Sequence, residues 1–298
     1  MRIKHKNLSG EKLTGLIMLS PFLITFILFT ITPIFSSILL SLFQYDMISV
    51  PKFAGISNYV KMFSRDAEFF PVLRNTLMFA IVTGPVGYAL SFVLAWLINE
   101  LNKYARTALS FLFYSPALAG NVLLMWQIFF SGDSYGYLNS LLLSMGFISE
   151  PIQWLKDPAY TMPIVMIVQL WMSMGVSFLS NIAGLQNVDI EMYEAGAIDG
   201  IKNRWYELWY ITLPSMKSIL LFGAVMQIQS TFSIGTLAQQ LTGFPSVNYS
   251  VDTIVTHIMD VGTSRYELGY ASAISVFLFL LMMLARLAVG KMISATGK

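Results

Sequence analysis

The chain has 298 residues, 56% of them hydrophobic, 14% aromatic and only 11% charged, with a formal net charge of +2. That balance belongs to membrane proteins rather than soluble domains, and the near-neutral charge leaves no footprint for nucleic acid or another polyanion. The absence of cysteine excludes disulfides, thiolate metal sites and a cysteine nucleophile.

Charge-free stretches mark the spans, because a hydrocarbon core of about 30 Å takes roughly 20 helical residues. In chain order they cover residues 13–45, 75–99, 107–132, 158–188, 218–251 and 268–285, predicting an all-α integral membrane protein with six transmembrane helices in one membrane domain, 1–298. The first is too long for a signal-peptide core and is read as a retained helix. A shorter stretch, 134–149, carries Gly136 and Asn139 and reads as a helix outside the membrane or at its surface. Gly and Pro interrupt the spans at Pro21, Pro33, Gly84–Pro85, Pro116 and Gly175, where kinks are expected.

Orientation follows from the short loops. With the N-terminus inside, Arg2, Lys4, Lys6, Lys12, Lys103, Arg106, Lys202, Arg204, Lys217, Arg286, Lys291 and Lys298, twelve of the 18 cations, face the cytoplasm. Both termini and the segment between the fourth and fifth spans then face the cytoplasm, and hydrophilic segments at about 46–74, 133–157 and 243–267 lie outside. In the last of these, Val251, Ile254, Val255 and Ile258 share one helical face, which predicts a helix lying on the membrane or the protein, with His257 beside it as a surface histidine.

The densest charge sits mid-chain. Asp189, Glu191, Glu194, Asp199, Lys202, Arg204 and Glu207 place seven charges in 19 residues, between the fourth and fifth spans. Asn187 or Asp189 starts a short helix there, with acidic charge at its N-terminus, and Gly200 ends it in a left-handed conformation. A helix restarts at Ile211-Thr212-Leu213-Pro214, with proline in its first turn. Connections between helices are ordinarily much shorter.

"EAGAIDG" at Glu194–Gly200 followed by "ITLP" resembles the EAA loop of ABC-importer permease subunits, here about 187–214. Glu194, Ala195, Asp199, Gly200, Ile211, Leu213 and Pro214 keep the family spacing. Gly196 replaces the second alanine and Ile201 the alanine after Asp-Gly, which predicts a looser helix and a wider exit. "FAGISNYVKMF", "LRNTLMF", "WLKDPAYTMPIVMIVQLW", "GLQNVDIEMYEA" and "GYASAIS" extend the likeness to the maltose and glycerol-phosphate group over most of residues 50–285.

The resemblance implies the ABC type I importer permease fold, with the short helix as a coupling helix held in a cleft of an ATPase subunit. It also implies the partners: a second homologous permease, two cytoplasmic ATPase subunits that bind ATP and magnesium, an external binding protein and a saccharide. No cofactor or metal is expected in this chain. Glu194 would face a basic group of the ATPase, and Gly200 would let the chain leave the cleft.

Other classes lack residues. The histidines, His5 and His257, fall outside the six stretches and no Asp interrupts them, so an intramembrane protease has no base or acid pair. No G-x-x-x-x-G-K-[ST] occurs, so nucleotide energy must come from a partner. An ion-coupled carrier usually has an ionisable residue at membrane depth, and these spans have none, although carbonyl-coordinated Na⁺ leaves that alternative open. A non-sugar solute such as a glycerol-phosphate compound is the other alternative.

A sugar site needs hydrogen-bonding groups and flat apolar faces. Gln227, Ser230, Thr231 and Ile234 share a face of the fifth span at i, i+3, i+4, i+7. Gln169 and Trp171 in the fourth span and Asn121, Trp126 and Gln127 in the third are further candidates. Interhelical hydrogen bonding competes for the same polar residues, as does an interfacial aromatic belt for Trp126.

Overall fold

The computed structural model describes residues 8–295. Arg2, Lys4, His5, Lys6 and Lys298 of the orientation and histidine counts lie outside them. The described residues are mostly helical. In order come α1 (Leu8–Phe26), a π-turn (Ile27–Ile31), α2 (Thr32–Leu40), β1 (Phe43–Gln44), β2 (Lys52–Phe53), α3 (Ser57–Ser64), α4 (Phe69–Asn99), α5 (Lys103–Leu118), α6 (Val122–Phe129) and α7 (Tyr137–Ser144). There follow α8 (Pro158–Met172), α9 (Val176–Gln186), α10 (Ile190–Ile198), α11 (Arg204–Glu207), a π-turn (Leu208–Thr212), α12 (Leu213–Ser215), α13 (Lys217–Phe232), α14 (Gly235–Thr242), α15 (Ile254–Met259) and α16 (Leu268–Ala295).

Five stretches are long and apolar enough to cross a membrane: Leu13–Leu40, Phe69–Asn99, Pro158–Gln186, Lys217–Thr242 and Leu268–Ile293. The sixth is α5 with α6, bent by 86°. Residues 107–132 therefore do not form the expected uninterrupted span. Pro116 sits in the last turn of α5, where it removes a backbone donor, and Ala119 beyond it is extended. Of the other predicted interruptions, Pro33 follows the first π-turn and Gly175 separates α8 from α9, whereas Pro21 and Gly84–Pro85 lie inside unbroken helices. At Gly84 a Cβ would lie 3.8 Å from Thr231 Oγ1, an ordinary contact.

The chain divides into two compact units. One contains the residues up to Arg65 together with Asp260–Phe277. Its β1 and β2 pair antiparallel, Phe43 opposite Phe53, and Asn58 fixes the turn by donating to the carbonyls of Ser41 (2.8 Å) and Phe43 (2.9 Å). Lys61 pairs with Glu267 and lies over the Tyr270 ring. Gly269 passes directly against the Phe43 carbonyl, where a side chain would collide with backbone. Leu13–Leu40 buries none of its apolar window, as a helix facing lipid does.

The other unit, Asp66–Met259 with the rest of α16, is built around α4, α9 and α13 packed together. Small residues allow the approach: a Cβ at Gly87 would lie 2.6 Å from Gln227 Nε2, and one at Gly184 2.6 Å from Met216 Cε. Phe79, Val165, Val168, Ile234 and Val251 form one apolar core, and Ala95, Phe178, Leu185, Ile211 and Met216 a second.

The segment ahead of α15 is pinned to the start of α4. Asn75 donates to the carbonyls of Tyr249 (2.7 Å) and Asp252 (3.0 Å), and Ile254 N–H donates to Thr76 Oγ1 (2.9 Å). Of the predicted face, Val251 and Ile254 are fully buried but Val255 and Ile258 only half-buried, whereas Thr253, Thr256 and His257 off that face are buried too, so α15 packs on protein on more than one side. His257 is not a surface residue. It is 3% exposed, with Nε2 bonded to Asp66 Oδ2 at 2.8 Å and Nδ1 3.6 Å from Glu68 Oε2.

Candidate functional site

The polar passage between the fourth and fifth spans folds as a capped unit. Asp189 caps α10, its Oδ1 accepting from Glu191 N–H at 3.1 Å, with Glu191 adding acidic charge to the first turn. At the other end Ile201 N–H donates to Gly196 O (2.9 Å) and Gly200 N–H to Ala197 O (3.2 Å), a Schellman closure that requires the positive φ of Gly200, 92°. Glu194, Ala195, Asp199 and Gly200 are exposed. Those residues form the outer surface of the helix.

Its inner surface is Gly196, which is buried. A Cβ there would lie 2.5 Å from Ile211 Cδ1 and 3.4 Å from Ile201 Cδ1. The looser helix and wider exit expected from Gly196 and Ile201 are not what forms, because isoleucine side chains occupy the space a second alanine methyl would take. Tyr193 adds a polar tie, its hydroxyl 2.9 Å from Thr212 Oγ1. The helix that receives these contacts begins at Arg204, not at Ile211. Asn203 caps it by accepting from Trp205 N–H (3.0 Å), a π-turn follows at Leu208–Thr212, and Pro214 lies within the run rather than at its start.

Arg204 donates to Glu207 (2.6 Å) and pairs with Glu100 at the end of α4, so α11 is tethered to a span. The hydrogen bond to Glu207, reinforced by Glu100, raises the guanidinium further above its ordinary range. Ile211 is buried, Leu213 half-buried and Pro214 exposed. The contacts of α10 thus fall on Ile211 and Thr212, in the π-turn that leads into α12 and α13.

The candidate binding residues divide into two groups. Gln227 and Ser230 line a cavity of about 350 Å³ where α8, α9 and α13 meet, together with Ser173, Gly175, Ser177 and Gln229. Gln169, buried, donates to Ser230 Oγ at 3.2 Å. Thr231 turns toward α4, its hydroxyl bonded to Gln227 O (2.9 Å). Trp126 and Trp171 pack edge to face at 5.3 Å, with Trp126 also stacked on Phe130, and neither lines the cavity.

Sequence reading missed Ser173 and Ser177, whose cue is their place beside Gly175. It also missed the partners of His257, which lie some 190 positions away. Asp66, Glu68 and His257 bring metal-ligand atoms within 4.8 Å. The two carboxylates nevertheless address opposite ring nitrogens, as partners of an imidazole do, instead of converging on one point.

Residues 87–294 match the family model described as binding-protein-dependent transport system inner membrane component. The chain is 30% identical to the probable ABC transporter permease protein YesP of Bacillus subtilis (strain 168), over 91% of this chain and 87% of that protein. It is 29% identical to the arabinooligosaccharides transport system permease protein AraP of the same organism, over 93% and 88%. A chain of a bacterial ABC transporter involved in the import of the acidic polysaccharide alginate superposes with a TM-score of 0.79, at 22% identity over 97% of this chain and 98% of that one, which establishes the shared fold. The chain is thus a multi-pass membrane protein of the binding-protein-dependent transport system inner membrane component family, an ABC transporter permease.

Proposed function

We propose that this permease carries a mono- or oligosaccharide, delivered by an external binding protein, through a path it forms with a second homologous permease. Two cytoplasmic ATPase subunits supply the energy and bind the ATP and magnesium. The observation that carries the reading is α10: an exposed helix, capped at both ends, that rests through Gly196 on Ile211 at the entry to α13. A surface helix tied on both sides to membrane helices suits the transmission of motion, and acidic Glu194 on its outer face suits a basic cleft.

Closure of the ATPase pair would move α10, and through Ile211 and Thr212 tilt the helix that lines the cavity. By the positive-inside rule, Lys103, Arg106, Lys202 and Arg204 beside the spans that flank α10, with Arg286 and Lys291 in the last turns of α16, support a cytoplasmic position for α10, and both termini are proposed to be cytoplasmic with it. The saccharide class is supported by the relative named for arabino-oligosaccharides. ATPase stimulation of the assembled complex over a panel of sugars presented on the binding protein tests it. Stimulation by a sugar and not by glycerol phosphate is expected; the reverse would transfer the assignment to the phosphate compound.

A further inference from the structure

Two cations near the C-terminal end of α16 stand without a counter-ion. Arg286 and Lys291 are exposed, and among the described residues neither has an ion-pair or hydrogen-bond partner. Both line a cavity of about 380 Å³ between α13 and α16. Its walls are otherwise apolar, with Leu221, Val225 and Ile228 from α13 and Leu287 and Val289 from α16. At Gly290, also in the lining, a Cβ would meet nothing within 4 Å, so the trough is open along the helix.

The depth of this cavity follows from its neighbours. Ile293, two residues beyond Lys291, shares a separate groove with Leu208 and Trp209, so this end of α16 lies beside the π-turn that α10 contacts. Trp205, Tyr206, Trp209 and Tyr210 are all exposed there, the composition of a membrane interface. At about 1.5 Å per residue, Lys291 is about 3 Å and Arg286 about 10 Å along the helix from Ile293. Lys291 therefore sits at headgroup level, and Arg286, deeper, reaches that level along its own aliphatic stem.

An apolar trough with a cationic rim matches an amphiphile with an anionic head. We propose that the α13–α16 cavity binds an anionic phospholipid of the leaflet on the α10 side, its phosphate between Arg286 and Lys291 and one acyl chain along Leu221, Val225 and Ile228. The planar guanidinium takes two phosphate oxygens at once, and the ammonium adds a point charge. Soluble phosphate would leave the trough bare, and a protein carboxylate would satisfy only the rim. A zwitterionic phospholipid brings its own cation and gains less from the two side chains.

Native mass spectrometry of the assembled transporter, titrated with dioleoyl phosphatidylglycerol or dioleoyl phosphatidylcholine, tests the site. The wild type is expected to bind phosphatidylglycerol more tightly than phosphatidylcholine, at one site for each copy of this chain. Arg286→Gln and Lys291→Gln should each weaken that event about fivefold, and together about 25-fold, the factor that a cation near an anionic leaflet supplies. Lys103→Gln, the same loss of charge at the start of α5, should leave it unchanged. Gly290→Phe fills the trough while keeping both cations, and it should displace the lipid too; inorganic phosphate at equal concentration should not compete.

Equal binding of the two phospholipids would overturn the proposal, and that comparison needs no variant. Binding unmoved by the double glutamine variant, or wild-type affinity in Gly290→Phe, would overturn it as well. Loss of the second permease or the ATPase from the double glutamine variant, with the lipid count unchanged, would assign the two cations to a protein carboxylate instead.

Discussion

Replacing Gly200 with valine should uncouple transport without disturbing the membrane domain. The residue has φ of +92° and a Cβ would meet nothing within 4 Å, so the penalty is one of backbone conformation alone. Left-handed backbone costs an L-residue roughly 1–2 kcal/mol, and a β-branched one about 2–3 kcal/mol. The two hydrogen bonds of the Schellman closure contribute about 1 kcal/mol each, so valine offsets what the turn gains by closing. A penalty of about 2 kcal/mol moves the turn some 30-fold toward open forms, in which α10 no longer keeps its exit geometry. Uptake per assembled complex, measured in proteoliposomes, should fall in the order Gly200, Gly200→Asn, Gly200→Ala, Gly200→Val, because asparagine tolerates positive φ better than alanine despite its size. Membrane insertion should be equal in all four. Near-normal uptake by Gly200→Val, or an order that follows side-chain volume, would refute the reasoning.

Glu194→Lys should reduce co-purification of the ATPase by the equivalent of several kcal/mol if the contact is desolvated; wild-type recovery would return Glu194 to a solvated face. Gln227→Ala should lower uptake per assembled complex with little change in melting temperature, since the Gln227–Thr83 contact is long, whereas Thr231→Ala, whose hydroxyl bonds its own helix on the α4 side, should leave uptake unchanged. Full uptake with a lowered melting point in Gln227→Ala would make that residue interhelical support instead. Gly87→Leu should destabilise the α4–α9–α13 packing by about 1–3 kcal/mol, read as a lower melting temperature, because its Cβ position is already crowded by Gln227 and Ser173. His257→Ala should cost about 1–3 kcal/mol locally and raise hydrogen exchange in residues 243–259 while leaving α9 and α13 protected, since it removes a buried partner of Asp66; unchanged exchange there would show that the pair does not hold the segment.

What the sequence carried plainly were the features written in local chemistry. Spans follow from runs without charge, the start of α10 from Asp189 and its end from Gly200, since a cap and a left-handed glycine act within a turn of chain. The bend between α5 and α6 was marked only by Pro116, and Pro85 shows that proline in a span is compatible with an unbroken helix. Gly196 misled for a similar reason. Its lost methyl loosens an isolated helix, but Ile211, fifteen positions away, fills the gap. His257 reads as a surface residue until Asp66 and Glu68 are brought to it from the far side of four spans. Within the cavity, helical periodicity grouped Gln227, Ser230 and Thr231 correctly on one side of α13, yet the face is broad enough that Thr231 turns to α4 while Ser230 opens to the cavity.

The central claim is that energy reaches this permease from outside the chain, through α10. Uptake of labelled saccharide into proteoliposomes containing both permeases, with binding protein supplied and the ATPase subunits present or omitted, tests it most directly. The account predicts ATP-dependent uptake with the ATPase and none without it under any imposed ion gradient; gradient-driven uptake by the permeases alone would contradict it.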